Sequence, residues 1–508
     1  MPLMYCHAKL KNISQHTVIS AHLFLPDYSP MNRDSFYPAI ACFSLLLMLA
    51  GCAPMHETRQ ALSQQTPAAQ VDTVLPTALK NGWPDSQWWL EYHDDQLTSL
   101  INNALQNAPD MQVAEQRIQL AEAQAKAVAT QDGPQLDFSA DMERQKMSAE
   151  GLMGPFALND PAAGTTGPWY TNGTFGLTAG WHLDIWGKNR AEVTARLGTV
   201  KARAAEREQT RQLLAGSVAR LYWEWQTQAA LNTVLQQIEK EQNTIIATDR
   251  QLYQNGITSS VEGVETDINA SKTRQQLNDV AGKMKIIEAR LNALTNHQTK
   301  SLKLKPVALP KVASQLPDEL GYSLLARRAD LQAAHWYVES SLSTIDAAKA
   351  AFYPDINLMA FLQQDALHLS DLFRHSAQQM GVTAGLTLPI FDSGRLNANL
   401  DIAKAESNLS IASYNKAVVE AVNDVARAAS QVQTLAEKNQ HQAQIERDAL
   451  RVVGLAQARF NAGLIAGSRV SEARIPALRE RANGLLLQGQ WLDASIQLTG
   501  ALGGGYKR

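Results

Sequence analysis

The chain has 508 residues, a formal net charge of -3, 6% aromatic residues and three cysteines. Near-neutrality without a basic stripe excludes a nucleic-acid partner, and so few cysteines exclude a disulfide-stapled scaffold. The length exceeds one simple core, and the sequence fills it by duplication.

Residues 1–30 have no periodicity and are an uncertain N-terminal extension, with Met31 the expected start of translation. Residues 31–51 read as a signal peptide: Arg33 is followed by a 12-residue apolar run, Ala39 to Ala50, too short to span a bilayer as a helix. The run closes on Leu49-Ala50-Gly51-Cys52, which resembles a bacterial lipobox. Cys52 is therefore the expected lipidation site, carrying N-acyl and S-diacylglycerol groups. Cys6 and Cys42 precede the cut, so neither a disulfide nor a cysteine-based metal site is expected in the mature chain. Residues 52–90 form a tether with little structure until Trp83, Trp88 and Trp89, which are expected to pack on a neighbouring surface.

The first repeat occupies 91–305. Apolar spacing predicts a helix from Gln96 to Thr130, ended by Pro134. Alternation then predicts strands at about 134–143 and 174–184, with Phe175, Leu177, Ala179, Trp181 and Leu183 in one row. From Gly187 to Tyr253 the chain is proline-free, with Leu231, Ile238, Ile245 and Leu252 recurring at sevens. That is coiled-coil spacing, and one helix of this length measures roughly 100 Å. A turn at Asn255-Gly256, with Ser259 as the expected cap, reverses it into a return helix ending near Asn296.

Pro306, Pro310 and Pro317 mark a linker, 306–317. The second repeat, 318–500, restates the first. Thr383-Ala384-Gly385 matches Thr178-Ala179-Gly180 at an offset of 205, and Asp330 and Pro354 match Asp110 and Pro134 at 220. Strands are expected at about 354–362 and 380–390, followed by a long helix, a turn at Gly463 and a return helix through Leu498. Residues 501–508, with Gly503-Gly504-Gly505, read as a helix terminator and flexible tail. Alternating strands also describe a soluble sheet with one wet face. Should they cross a membrane, four cannot close a barrel, and several chains must share one.

Leu324-Leu325-Ala-Arg327-Arg328-Ala329-Asp330-Leu331, Phe352-Tyr-Pro354-Asp-Ile356, Leu388-Pro-Ile-Phe391-Asp392-Ser-Gly394-Arg395 and Leu502-Gly-Gly-Gly-Tyr506 together resemble the outer-membrane factors, the TolC type of duct, in their NodT-like efflux lipoprotein branch. The similarity covers residues 83–506. It implies a mainly α chain with a transmembrane β-barrel. Three copies of four strands close a twelve-stranded barrel in the outer membrane, and the helices form a periplasmic tunnel. It implies a homotrimer working with a periplasmic adaptor (membrane fusion protein) and an inner-membrane pump. Ala329 stands where the family usually has Pro and Ser393 where it often has Gly, swaps expected to be inexpensive at such positions.

The resemblance places the helix turns at the periplasmic aperture, with acidic residues six and nine positions beyond the turn glycine lining it. Here Gly256 is followed by Glu262 and Glu265, and Gly463 by Arg469 and Glu472. Tripled, these make a charged ring that favours cations and can hold a gate through Arg469–carboxylate pairs; a solvated helix face is the plain alternative. Pro476 is expected either to kink the return helix or to occupy a tolerant first turn. No HExxH, CxxC or nucleophile elbow occurs, and Ser413-Tyr-Asn-Lys416 is an isolated SxxK in mid-rod. Neither a catalytic group, a metal nor a cofactor beyond the lipid is expected. The reading is an exit duct for small toxic compounds; a type I protein-secretion duct of the same fold and a non-porous periplasmic scaffold are the alternatives.

Overall fold

The computed structural model describes residues 55, 62–64, 83–146, 169–257, 259–296, 302–311, 324 and 326–506. The expected leader, Cys52 and linker residues 312–317 lie outside them. One element order occurs twice. After α1 (Asp95–Asn107), the first copy is α2 (Pro109–Ala129), β1 (Gln135–Lys146), β2 (Trp169–Leu183), α3 (Lys188–Gln254) and α4 (Ser260–Leu294). The second is α5 (Ala329–Ala350), β3 (Asp355–Ala366), β4 (Gln378–Thr387), α6 (Arg395–Asn461) and α7 (Gly467–Ala501). Both long helices have 67 residues and both return helices 35.

Local chemistry explains the boundaries. The single helix expected over Gln96–Thr130 is broken at Ala108, which is extended (φ -62°, ψ 136°). Pro109 disfavours helical backbone in the residue before it, then starts α2 with its own fixed φ. Each long helix begins under a carboxylate. Asp184 accepts from the amides of Asn189 and Arg190 (3.0 and 2.9 Å), and Asp392 from those of Gly394 and Leu396 (3.0 and 2.8 Å). Ser393 is left-handed at φ 57°, so the expected inexpensive exchange for Gly carries backbone strain.

The strands form one antiparallel sheet in the order β1-β2-β3-β4. They extend past their expected ends on the side away from the helices. There Glu143 to Lys146 pair with Asn172 to Trp169, and Gln363 and Gln364 with Gln379 and Gln378. Those ladders are polar, so hydrophobic alternation does not signal them.

In the helical layer α3 packs against α2 and α4, and also against α5 and α7, while α6 packs against α5 and α7. Each long rod is thus matched by two short helices placed along it, and the wall is four helices wide. Along α6, Leu400, Ala403, Ser407, Ile411, Tyr414 and Val418 are buried at steps of three, four, four, three and four, one continuous buried face of the helix. Small residues bring rods close: a Cβ on Gly198 would stand 3.0 Å from Ser340 Cβ.

The largest core lies at mid-height, where Trp88, Trp89, Leu97, Ile101, Tyr222 and Trp223 pack together, as expected for the tryptophans. Tyr222 Oη donates to Asp94 Oδ2 (2.7 Å), and Asp94 Oδ1 accepts from Leu97 N (2.8 Å) to cap α1. The described part of the expected linker is fastened rather than slack. Lys305 N donates to Gln96 Oε1, Val307 N to Gln226 Oε1 and Gln488 Nε2 to the Pro310 carbonyl (2.9, 2.8 and 3.0 Å). The glycine tail is also no tail: Gly503, Gly504 and Gly505 are buried, with positive φ. Cβ atoms on Gly503 and Gly505 would overlap the Arg327 and Asp85 carbonyl oxygens, so only backbone fits there. The tether is docked where described: Leu62 N donates to Asn408 Oδ1 and Asn415 Nδ2 to the Ser63 carbonyl, both at 3.0 Å along α6.

Candidate functional site

Strand register sorts side chains onto two faces. Leu136, Phe138, Ala140 and Met142 pair with Ala179, Leu177, Phe175 and Gly173, and these with Ala360, Leu362, Gln364 and Ala366. This face is apolar and exposed: Phe138 is 67% and Val382 81% accessible. The other face carries every acidic residue of the strands, Asp137, Asp141, Glu143, Asp355 and Asp365, together with Thr178 and Gln363. Phe361 lies on this polar face, its ring over Gly381, where a Cβ would meet it at 2.7 Å. From Leu183 to Phe175 the apolar row is about 26 Å long, or about 20 Å high in a strand tilted as in a barrel. At its helix-side end Trp181 Nε1 donates to the Asp132 carbonyl, and Trp186 stacks on Tyr353 with ring centroids 5.0 Å apart. Aromatics at that level suit a membrane–water boundary.

The sheet's edges, β1 and β4, are unpaired among the described residues. The helical wall ends in the same way. On α4, Val261, Val264 and Ile268 are exposed at steps of three and four, and on α6, Ile445, Val452 and Leu455 are exposed likewise. These are half-seams that lack a partner helix among the described residues.

The opposite end holds the two helix turns and the residues that the resemblance implies for an aperture. Gly256 and Gly463 are left-handed (φ 69° and 71°) and end the long helices identically. Ile257 N donates to the Leu252 carbonyl and Leu464 N to that of Arg459, both at 2.9 Å, a Schellman closure. Ser259 has the backbone of a cap but makes no side-chain cap bond. Arg469 and Glu472 come together at 2.7 Å, one turn apart on α7, with side chains 67% and 41% exposed. Such a pair is worth under about 1 kcal/mol. Glu265 is exposed on α4; Glu262 lies on the same helix, its side chain outside the described residues. Pro476 stands ten residues into α7, which rules out the first-turn alternative. Lacking an N–H, it leaves the Glu472 carbonyl without its helical partner. Arg474–Glu241 and Arg274–Glu239 (3.3 and 3.2 Å) tie the return helices to α3, and Arg481–Glu446 (3.2 Å) ties α7 to α6.

Sequence reasoning missed the acidic inner face, although the same alternation that marks the apolar row marks it. It also missed Arg328, which no local pattern signals. The Arg328 side chain, 12% exposed, reaches Asp330 (2.6 Å), Asp424 (3.7 Å) and the carbonyl of Ala501 at the end of α7 (3.2 Å). Burial alone would lower its pKa; the Asp330 and Asp424 carboxylates outweigh burial and raise it. Ser413 and Lys416 lie in mid-α6, as expected for a chance motif.

An apolar outward face, an acidic inward one and rods of 100 Å order on one side define a wall segment of a membrane channel. The sequence profile described as "Outer membrane efflux protein" matches residues 100–297 and 320–504. The chain is 99% identical over 478 residues to the multidrug resistance outer membrane protein MdtQ of Escherichia coli O6:H1, covering 94% of this chain and all of that one. It is 36% identical over 466 residues to the multidrug resistance outer membrane protein MdtP of Shigella flexneri, covering 91% and 94%. The CmeC outer membrane channel of Campylobacter jejuni, 18% identical, shares the fold with a TM-score of 0.76 over 90% of this chain and 95% of that one. The chain belongs to the outer membrane efflux protein family. It is an outer-membrane efflux channel of TolC-like fold, and the non-porous scaffold reading falls.

Proposed function

We propose that three copies of this chain form the passive exit duct of a multidrug efflux assembly, receiving small toxic compounds from an inner-membrane pump through a periplasmic adaptor. The observation that carries this is the coincidence of open edges. β1 and β4 leave rows of backbone donors and acceptors unpaired, which lipid does not tolerate. β1 of one copy against β4 of the next satisfies them, and the same step brings the half-seam of α4 onto that of α6. The highly similar relatives are named for multidrug resistance, which supports the cargo class. Conduction through such a duct needs no catalytic group, cofactor or metal, and the chain is read as no enzyme.

Lipid on Cys52 fits the same placement. Met55 packs with Phe352, Leu396 and Leu400 at the junction of strands and helices. Cys52, three residues before Met55 in sequence, is read as the residue that carries the membrane-anchoring lipid. At the far end Glu262, Glu265, Arg469 and Glu472, tripled, form a charged ring that favours cations. Single-channel recording from purified protein tests both parts. Discrete cation-selective openings, altered by Glu472→Lys, are expected. Openings indifferent to that reversal would retain the duct and return Glu472 to a solvated face, while a silent, monomeric protein would sink the duct.

A further inference from the structure

Faces and charges of the strands are segregated in a way that the passage of cargo does not require. All five strand carboxylates point inward, whereas the only strand cations, Arg144 and Lys146, follow Met142 on the outward row. They are two and four residues past the last apolar side chain of β1, at the end away from the helices. At about 3.3 Å per residue and a barrel-like tilt, this places them roughly 5 and 10 Å above the apolar band, at headgroup depth. Both are exposed, and neither is ion-paired with a described residue. Lys146 stands opposite Trp169, which is 49% accessible.

A second element reaches the same place independently. The connection between β3 and β4 folds down on the outside of the sheet. A Cβ on Gly173, which points outward, would meet Leu372 at 2.9 Å and Leu369 at 3.4 Å, and Phe373 packs on Phe175 with ring centroids 5.6 Å apart. Phe373 nonetheless remains 84% accessible. Arg374 follows it, 70% exposed and held by Asp371 at 3.1 Å. A loop that served only to narrow the pore would fold inward. This one carries an exposed aromatic and a guanidinium along the lipid side, with Phe373 on Phe175, four residues along β2 from Thr171, the partner of Arg144.

We infer that Arg144, Lys146 and Arg374, flanked by Trp169 and Phe373, form a clamp for the phosphates of an outer-leaflet glycolipid. Trp169 and Phe373 enter the boundary between acyl chains and headgroups, and the three cations meet the phosphates above it. The outward position selects lipid over a soluble anion, because the approach to these cations runs along the acyl-chain surface. The inference rests on the barrel standing in the outer membrane.

The test uses the full-length trimer in neutral detergent, titrated with bisphosphorylated lipid A and with the same lipid dephosphorylated, binding being read by native mass spectrometry. Wild type is expected to prefer the phosphorylated form by roughly fivefold for each cation engaged. Arg144→Gln, Lys146→Gln and Arg374→Gln combined should bring the ratio to about one while leaving dephosphorylated lipid bound as before. Arg144→Lys should keep the preference. A wild-type ratio near one, or a ratio unchanged in the triple variant, overturns the clamp and leaves the channel standing. Retention of neither lipid by wild type likewise overturns the clamp.

Discussion

The same joint occurs twice in this chain and is built in two ways. In the second repeat, α7 ends where α5 begins, and the junction is ionic: Arg328 bridges the Ala501 carbonyl, Asp330 and Asp424. In the first repeat the positions 220 earlier are Ala108 and Asp110. Ala108 is 1% accessible, Pro109 sets the start of α2, and α4 ends with Thr295 Oγ1 donating back to the Leu291 carbonyl (2.8 Å). One joint is held by charge and the other by apolar packing and a fixed φ. Either solution holds a short helix at its long partner, so the fold requires the placement and not the chemistry.

The sharpest way to break the symmetry is Arg328→Ala, which strands two part-exposed carboxylates beside the Ala501 carbonyl. It should cost about 3–5 kcal/mol, seen as a large drop in the melting temperature of the detergent-solubilised protein. A loss below 1 kcal/mol would show that water replaces the guanidinium. Gly503→Ala, at φ 95° and against the Arg327 carbonyl, should follow at about 2–4 kcal/mol. Asn296, also left-handed at φ 53° but in the first repeat, should accept Gly within about 0.5 kcal/mol, measured in the same melts. Equal effects at 503 and 296 would contradict the asymmetry.

The tips are the control, because there the repeats agree. Gly256→Ala and Gly463→Ala have free space around the new Cβ, so each should lose only the left-handed penalty of about 1–2 kcal/mol. Hydrogen exchange at the two turns should report similar opening. Ser393→Gly should gain about 0.5 kcal/mol by relieving its φ of 57°. The smallest effect is alkaline. Tyr337 is raised to about 12, by burial first and then by its hydrogen bond to Glu206 (2.8 Å). An unfolded phenol ionises near 10. The stabilisation is therefore full below pH 10 and is lost as pH rises from 10 to 12. Tyr337→Phe should flatten the melting-temperature profile in that window and lower it slightly at pH 7, where the hydrogen bond to Glu206 is lost.

These contrasts also mark what could be read in advance. Strand alternation, heptad leucines and isoleucines, and the turn glycines were legible because each is a local periodicity or a backbone demand tied to residue type. The break at Ala108 was signalled by Pro109, yet it was hidden inside a helical apolar pattern that runs through it. Polar ladders such as Glu143–Lys146 carry no apolar signature, so the strand ends were short by up to five residues. Of the aperture, the turn geometry and the residues' positions were legible. The Arg469–Glu472 pairing within one helix follows from their spacing of three and weakens the expectation that Arg469 reaches across the gate. Arg328 depends on Asp424 and Ala501, roughly a hundred and more residues away, and no one-dimensional pattern announces such a meeting.

The buried glycines after α7 have a bearing on how the two repeats are locked together. Gly503 and Gly505 wedge against the Arg327 and Asp85 carbonyl oxygens, so the segment that follows α7 pins the approach to α5 and the stretch that leads into α1. A polypeptide cut short before residue 503 presents a waist with a missing wedge, however complete its rods and strands.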